Sequence, residues 1–199
     1  PLIWNTLQMY RHDRLAYLKQ MFEKAEKEGY FLGYKVVRGA YMEIERERAA
    51  EKGYPSPIQA TKNASDIDYN EAILFCLDHI DRIGLMAGTH NDQSSMLLAT
   101  EMDKRGIAHN YSHVFFAQLL GMSDNLSFNL GAAGYNVAKY MPYGPVKAVM
   151  PYLFRRAQEN SSAARQTGRE LSLIIKEKQR RCRKAVKGKR ACKIHKSRR

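Results

Sequence analysis

The chain has 199 residues, with 33 Lys+Arg against 20 Asp+Glu for a formal charge of +13, 44% hydrophobic residues and three cysteines. That composition is globular rather than disordered or fibrous, and Cys76, Cys182 and Cys192 are too scattered for a metal cluster or a disulfide framework. No uninterrupted apolar run approaches the about eighteen residues needed to cross a bilayer. The charge is not evenly spread. Residues 176–199 hold thirteen Lys or Arg and one acid, a charge of +12, which leaves 20 basic and 19 acidic side chains, or +1, on the first 175 residues. The basic segment reads as an arm for nucleic acid, an address signal or a clamp on anionic lipid, or equally as a solvated tail with no specific partner.

In chain order, Leu2 to Gln8 reads as a strand, followed by a helix over Asp13 to Glu28 with Leu15, Leu18, Phe22 and Ala25 at helical spacing and Gly29 at its end. Gly33 to Val37 is a second strand, and Met42 to Lys52 is a charged helix closed by Gly53. A Pro-rich loop over Tyr54 to Pro57 leads to a helix over Ser65 to Ile80, with Ser65 and Asp68 at capping-box spacing. Leu85 to Gly88 is a short strand, and a helix from about Gln93 to Lys104 stops at Gly106. Ala108 to Asn129 contains a buried-looking run, Val114 to Leu120. Val137 to Met141 is the last strand, and a final helix begins near Pro145, with Pro151 expected to restart or kink it.

Strand followed by helix, repeated, predicts an α/β chain with parallel strands joined by crossovers, either a doubly wound sheet or a (β/α)8 TIM-type barrel. No G-x-G-x-x-G follows the first strand and no phosphate-loop Gly-Lys-Ser/Thr is present, so the nucleotide-fold signals are absent. Chemically capable residues recur instead at the C-terminal ends of strands: Gln8, Arg38 with Tyr41, Thr89-His90-Asn91 and Tyr140. That placement favours the barrel, whose sites lie on that face and whose full length is about 250 residues. About five strands are visible, and the chain opens at Pro1 directly on an apolar run, so it reads as the C-terminal five strands of such a barrel. Two sheet edges are then left unpaired and the apolar interior open, so the chain alone is expected to be unstable or inactive.

Three clusters carry the chemistry. In Gly33-Tyr-Lys-Val-Val-Arg-Gly-Ala-Tyr41, alternation sends Lys35 and Val37 to one face, and the Gly39-Ala40 turn permits close approach of a ligand to the backbone. Two cations beside a small-residue turn suit an anionic or electron-rich cofactor, or simply frame a strand-to-helix turn. The second cluster is Gly88-Thr-His-Asn-Asp92, where His90 is either structural or, with His109 and His113, a metal ligand, although no carboxylate sits at ligand spacing. The third is Tyr152-Leu-Phe-Arg-Arg-Ala-Gln-Glu159. Arg155 and Arg156 beside an apolar stripe could fork a substrate carboxylate, or could belong to a solvated helix face.

Taken together, Val37-Arg-Gly-Ala-Tyr41, Gly88-Thr-His-Asn91, Lys139-Tyr-Met-Pro-Tyr-Gly144 and Tyr152-Leu-Phe-Arg-Arg156 with Glu159-Asn160 resemble the motifs of the FAD-dependent proline dehydrogenases, in the same order, from about Ile3 to Ser162. The resemblance implies a distorted (β/α)8 barrel, of which residues 1–162 are the C-terminal portion, and the likeness fades after Ser162. Beyond it, the helical spacing of Leu171, Ile174 and Ile175 predicts a trailing helix over 163–175, and the basic tail over 176–199 is expected to be disordered. The resemblance implies oxidation of L-proline to 1-pyrroline-5-carboxylate, with hydride passing to FAD N5 and electrons to a membrane quinone. The location it implies is mitochondrial in a eukaryote, or cytoplasmic and peripheral to the inner membrane in a bacterium.

By the same resemblance, Gln8 contacts the flavin ring and Lys35 falls where many bacterial members have an arginine beside flavin N5, which makes it the residue closest to catalysis. Arg38, Gly39 and Ala40 match the flavin-binding turn, and Thr89 and His90 match a pair contacting FAD further along. Arg155 and Arg156 match the arginines that hold the proline carboxylate, and Tyr41 and Tyr140 match tyrosines that wall the substrate. A tyrosine at Tyr140 goes with proline and a smaller residue there with hydroxyproline. No metal is implied. The rival readings are a nucleic-acid or anionic-membrane binding module working through the tail, and a metal-dependent barrel hydrolase using His90, His109 and His113.

Overall fold

The computed structural model describes residues 3–162 and 171–181; the side chains of residues 155–162 lie outside the described set, as do residues 163–170 and 182–199. The chain divides into two units, residues 1–141 and residues 142–199.

The first unit alternates strand and helix. Strand β1 (Asn5–Gln8) leads to α1 (Arg14–Glu28), β2 (Leu32–Val37), α2 (Met42–Lys52), α3 (Lys62–Asp78), β3 (Ile83–Gly88), α4 (Asp92–Lys104), β4 (Val114–Leu119), α5 (Asp124–Ala132) and β5 (Val137–Tyr140). The five strands form one parallel sheet in the order β1-β2-β3-β4-β5. A doubly wound sheet reverses its strand order partway across. Here each strand is added beside its predecessor, so the sheet is an arc of a barrel wall, with helices filling the crossovers that parallel neighbours require.

Period-two alternation decides which face the helices cover. Leu32, Tyr34 and Val36 of β2, Ile83, Leu85 and Ala87 of β3, and Val114 and Phe116 of β4 are buried in a single core with Leu18 and Phe22 of α1, Tyr69, Ile73 and Cys76 of α3, and Leu98 and Met102 of α4. Each Leu, Ile, Val or Phe fully buried there contributes about 1.5–3 kcal/mol of apolar transfer free energy. The dryness of the layer is visible in its polar groups, since burial pushes the Tyr34 hydroxyl and the Cys76 thiol each up to about 12. The alternate residues, Lys35 and Val37, Met86 and Gly88, Phe115 and Ala117, project to the other face, which corresponds to the barrel interior. Trp4 meets Phe115 there edge to face, with ring centroids 6.2 Å apart.

Local signals set most boundaries. Helix α1 ends at Gly29, whose left-handed φ of 78° lets its N–H reach the Ala25 carbonyl. The Ser65–Asp68 capping pair is not formed. Thr61, in extended backbone, accepts from the Ala64 N–H and caps α3 four residues before the N-cap that the capping-box spacing predicts. Ser65 is then buried one turn inside, and Asp68 accepts from Gln59 instead. The run Val114 to Leu120 resolves into β4, followed by a separate helix, α5.

The second unit contains α6 (Val146–Ser162) and a further helix over residues 171–181, α7. Helix α6 runs through Pro151 rather than stopping there; proline removes one N–H donor from the ladder without ending it. In α7 Leu171, Ile174 and Ile175 are exposed, and Glu177 pairs with both Arg180 and Arg181, which holds its carboxyl at about 2.

Candidate active site at the strand C-termini

The C-terminal ends of β1 and β2 are tied together by backbone bonds. The Met9 N–H donates to the Val37 carbonyl at 2.8 Å and the Tyr10 N–H to the Arg38 carbonyl at 2.7 Å, while the Tyr10 carbonyl accepts from Gln59. Gln8, the last residue of β1, pairs with Val37 across this edge. Immediately after β2, Gly39 adopts φ +118°, and a Cβ built there would sit 2.0 Å from a Tyr10 ring carbon. Any other residue would have to displace the Tyr10 ring and adopt strained backbone, so the Arg38-Gly39-Ala40 turn depends on glycine. Tyr41 follows as the N-cap residue of α2, half-buried.

Arg38 is engaged at all three guanidinium nitrogens. Its Nε donates to the Asp66 carboxylate, its Nη1 to Thr89 Oγ1 at 2.8 Å and its Nη2 to Ser94 Oγ at 2.8 Å, while its plane lies 4.2 Å from the centroid of the Tyr69 ring. Ser94 Oγ in turn donates a hydrogen bond to Asn70 Oδ1 at 2.8 Å. Burial opposes ionisation of Asp66, but hydrogen bonds from Lys62 and Arg38 outweigh it and hold the carboxyl below its ordinary value. Thr89, itself buried, also accepts from the Asn91 N–H at 3.0 Å, and Asn91 Oδ1 caps α4 by accepting from Gln93 and Ser94. His90, the next residue, turns toward the β4–α5 loop, where its Nδ1 lies 3.0 Å from Ser123 Oγ.

A second grouping lies on the interior face. Gly88 stands opposite Ala117, and Ala117 opposite Ala138, so three neighbouring strands present nothing larger than a methyl in one row. A Cβ added at Gly88 would meet Val37 Cγ1 at 2.8 Å and Lys35 Cε at 3.3 Å. Lys35 projects along this face, with its ammonium 5.0 Å from the centroid of the Tyr140 ring at the end of β5. A flat apolar row with a cation and an aromatic ring at its margin fits a planar, electron-accepting ring system such as a flavin.

Gln8, Lys35, Arg38, Gly39, Ala40, Tyr41, Thr89, His90 and Tyr140 thus all fall at or beside the C-terminal ends of the strands in the first unit. Arg155 and Arg156 lie on α6 in the second unit, and their side chains are outside the described residues. The three histidines of the metal reading do not converge. His90 follows the C-terminal end of β3, whereas His109 and His113 precede the N-terminal end of the parallel strand β4. His109 is occupied by the Asp103 carboxylate and the Ala133 carbonyl, at 2.8 Å each, and stacks on Tyr135. Among the described residues no three His, Cys, Asp or Glu side chains gather as a metal site. Sequence reasoning missed Asp66, Asn70 and Ser94. The first two are visible in hindsight as a polar stripe with Tyr69 at i, i+3 and i+4 on α3.

The parallel, singly wound sheet with its candidate site residues at one end has the architecture of a (β/α)8 barrel wall, and solved structures agree. The chain superposes on proline utilization A (PutA) from Bdellovibrio bacteriovorus, inactivated by N-propargylglycine, with a TM-score of 0.72 and 27% identity, covering 77% of this chain and 16% of that one. The family model described as proline dehydrogenase matches residues 1–169. The chain is 44% identical over 186 residues to human proline dehydrogenase 1, mitochondrial, covering 92% of this chain and 31% of the relative. It is 42% identical over 185 residues to hydroxyproline dehydrogenase of Xenopus laevis, covering 91% of this chain and 40% of the relative. The chain belongs to the proline dehydrogenase family. It spans about a third of the length of the human relative.

Proposed function

We propose that the protein carrying this chain oxidises L-proline to 1-pyrroline-5-carboxylate with FAD as cofactor. The observation that carries the reading is the Gly88-Ala117-Ala138 row flanked by Lys35 and Tyr140, in a chain of this family. FAD, when bound, supplies the hydride-accepting centre at N5. The residues of this chain hold, orient and polarise. The row would leave room for a planar ring, and Gln8 and the Arg38-Gly39-Ala40 turn would offer it hydrogen-bonding groups. Lys35 would hold its positive charge beside the row, where it would favour an electron-rich ring by electrostatics alone, with no proton movement. Thr89 and His90 would contact FAD further along.

Arg155 and Arg156 on α6 are the candidates for holding the proline carboxylate, since two planar donors can grip it in a fork and so fix the ring relative to the acceptor. Tyr41 and Tyr140 wall the substrate. Relatives named for proline and for hydroxyproline match this chain almost equally well, at 44% and 42% identity, so overall similarity does not choose between the substrates. The bulk of Tyr140 favours the unhydroxylated ring.

We further propose a membrane quinone as electron acceptor and peripheral contact with an anionic membrane through the +12 segment, residues 176–199. Among the described residues no helix is long and apolar enough to cross a membrane. The human, Drosophila and Arabidopsis relatives carry the word mitochondrial in their names, which supports that location in a eukaryotic host.

The test is anaerobic addition of L-proline to the FAD-loaded full-length protein, followed by absorbance. Proline-dependent bleaching, faster than with hydroxyproline, is expected. Tight flavin binding with no bleaching by proline would overturn the reading.

A further inference from the structure

Lys35 and Arg38 are three residues apart, and the reading above places both near the cofactor. Their surroundings assign them different work. All three guanidinium nitrogens of Arg38 meet side chains of this chain: Asp66 on α3, Thr89 at the end of β3 and Ser94 in the first turn of α4. Its face is covered by Tyr69. The pair is largely enclosed, with side-chain exposures of 19% for Arg38 and 23% for Asp66. Three planar donors directed at three different elements define both a distance and an orientation, which a lysine ammonium could not reproduce. The partners are held in turn, since Ser94 donates to Asn70 one turn along α3 from Asp66, and the Thr89 hydroxyl that accepts from Arg38 also accepts from the Asn91 N–H. Asn91 caps α4. One guanidinium therefore closes a loop of contacts running from the end of β2 through α3 and α4 to the turn after β3, and the residue that follows Thr89 is His90.

We propose that Asp66 and Ser94, acting through Arg38, are positioning residues that fix the Thr89-His90-Asn91 turn, so that Arg38 serves the cofactor by tying the ends of β2 and β3 together and not as a side-chain ligand. The proposal rests on the flavin reading for its consequence but not for its geometry. Asp66 orients the guanidinium and Ser94 stops it from rotating; Thr89 is the point where that order reaches the turn. Removing the charge of Asp66 leaves the guanidinium held through Thr89 and Ser94 alone, so its orientation loosens and the turn's anchor on the β2 side weakens, while the His90–Ser123 contact on the other side is kept.

The test compares the wild-type protein with Asp66→Asn and with the milder Ser94→Ala in two measurements. Hydrogen exchange without flavin should quicken at the Asn91, Gln93 and Ser94 amides, about tenfold in Asp66→Asn and less in Ser94→Ala, with the amides of β4 unchanged. Titration with FAD should show an affinity weakened about tenfold in Asp66→Asn, while the KM for proline of the flavin-saturated protein stays at the wild-type value. Unchanged exchange at those three amides in both variants overturns the proposal. So does loosened exchange with unaltered FAD affinity, which would make the network merely structural. If Asp66→Asn does not fold, Ser94→Ala decides by the same criteria. If the wild-type protein takes up no FAD, the flavin reading fails, and the exchange measurement alone decides whether Arg38 anchors the turn.

Discussion

The β2–β3 exit and the interior row beside it lie within one strand of each other, and they are built oppositely. At the exit, Arg38 is saturated by Asp66, Thr89 and Ser94 and lies against Tyr69. Along the row, Gly88, Ala117 and Ala138 offer no polar side chain at all, and the cation at its margin, Lys35, has an aromatic ring at 5.0 Å. A cation surrounded by fixed acceptors does structural work, because its field is already neutralised at short range. Lys35 instead lies along the small-residue row, with Cε 3.3 Å from where a Gly88 Cβ would stand, so its charge is placed beside the surface that a ring would cover. The two residues look interchangeable in the sequence, and only their neighbours separate them.

The comparison can be broken most directly at Lys35. Lys35→Met keeps the aliphatic stem and removes the charge; turnover of proline should fall about 10²–10³-fold, with little change in melting temperature or in FAD content. A loss of folding or of flavin with turnover per bound flavin intact would assign Lys35 to structure. A smaller effect is expected at the row. Gly88→Ala places a methyl 2.8 Å from Val37 Cγ1, and the repacking should cost about 1–3 kcal/mol of stability, read by thermal or denaturant unfolding together with weaker FAD binding. An unchanged FAD affinity in a folded Gly88→Ala protein would mean the row does not face the ring.

The smallest effect is expected far from both regions, at the opposite end of the sheet. The hydrogen bond to the Ala133 carbonyl, followed by that to Asp103, raises the His109 pKa against a small opposing effect of burial. Because the folded value lies above the ordinary value of about 6.5, the contribution of His109 to stability is complete below that pH and fades as pH rises through the folded value. Asp103 and Tyr135 are the titratable groups that face it. His109→Gln should flatten the decline in stability from neutral to mildly alkaline pH without altering flavin binding, as read by unfolding at several pH values. A decline identical to wild type would exclude His109 as its source.

Much of the fold is legible in the sequence because its signals are local. The α1 and α2 stops at Gly29 and Gly53, the alternation in β2 and the helical spacing of Leu18, Phe22 and Ala25 all depend on residues a few positions apart. Errors arise where a local signal has a stronger competitor. Ser65 and Asp68 have capping-box spacing, but Thr61 sits in extended backbone at the true start of α3. The site is legible in part for the same reason, since strand ends can be found by pattern and Gln8, Arg38, Thr89 and Tyr140 stand at them. The network around Arg38 is not legible that way, because its partners lie 28, 51 and 56 residues downstream and become neighbours only when β2, β3, α3 and α4 are assembled.

The measurement that bears most directly on the central claim is the midpoint potential of the bound flavin in wild-type protein, Lys35→Met and Asp66→Asn. If Lys35 is the cation that acts on the ring and Arg38 the tie that holds its surroundings, Lys35→Met shifts the potential negative by about 30 mV for every tenfold loss in preference for the reduced form, and Asp66→Asn leaves it at the wild-type value while weakening FAD binding. A potential unchanged in Lys35→Met but shifted in Asp66→Asn would reverse the two roles and contradict the account.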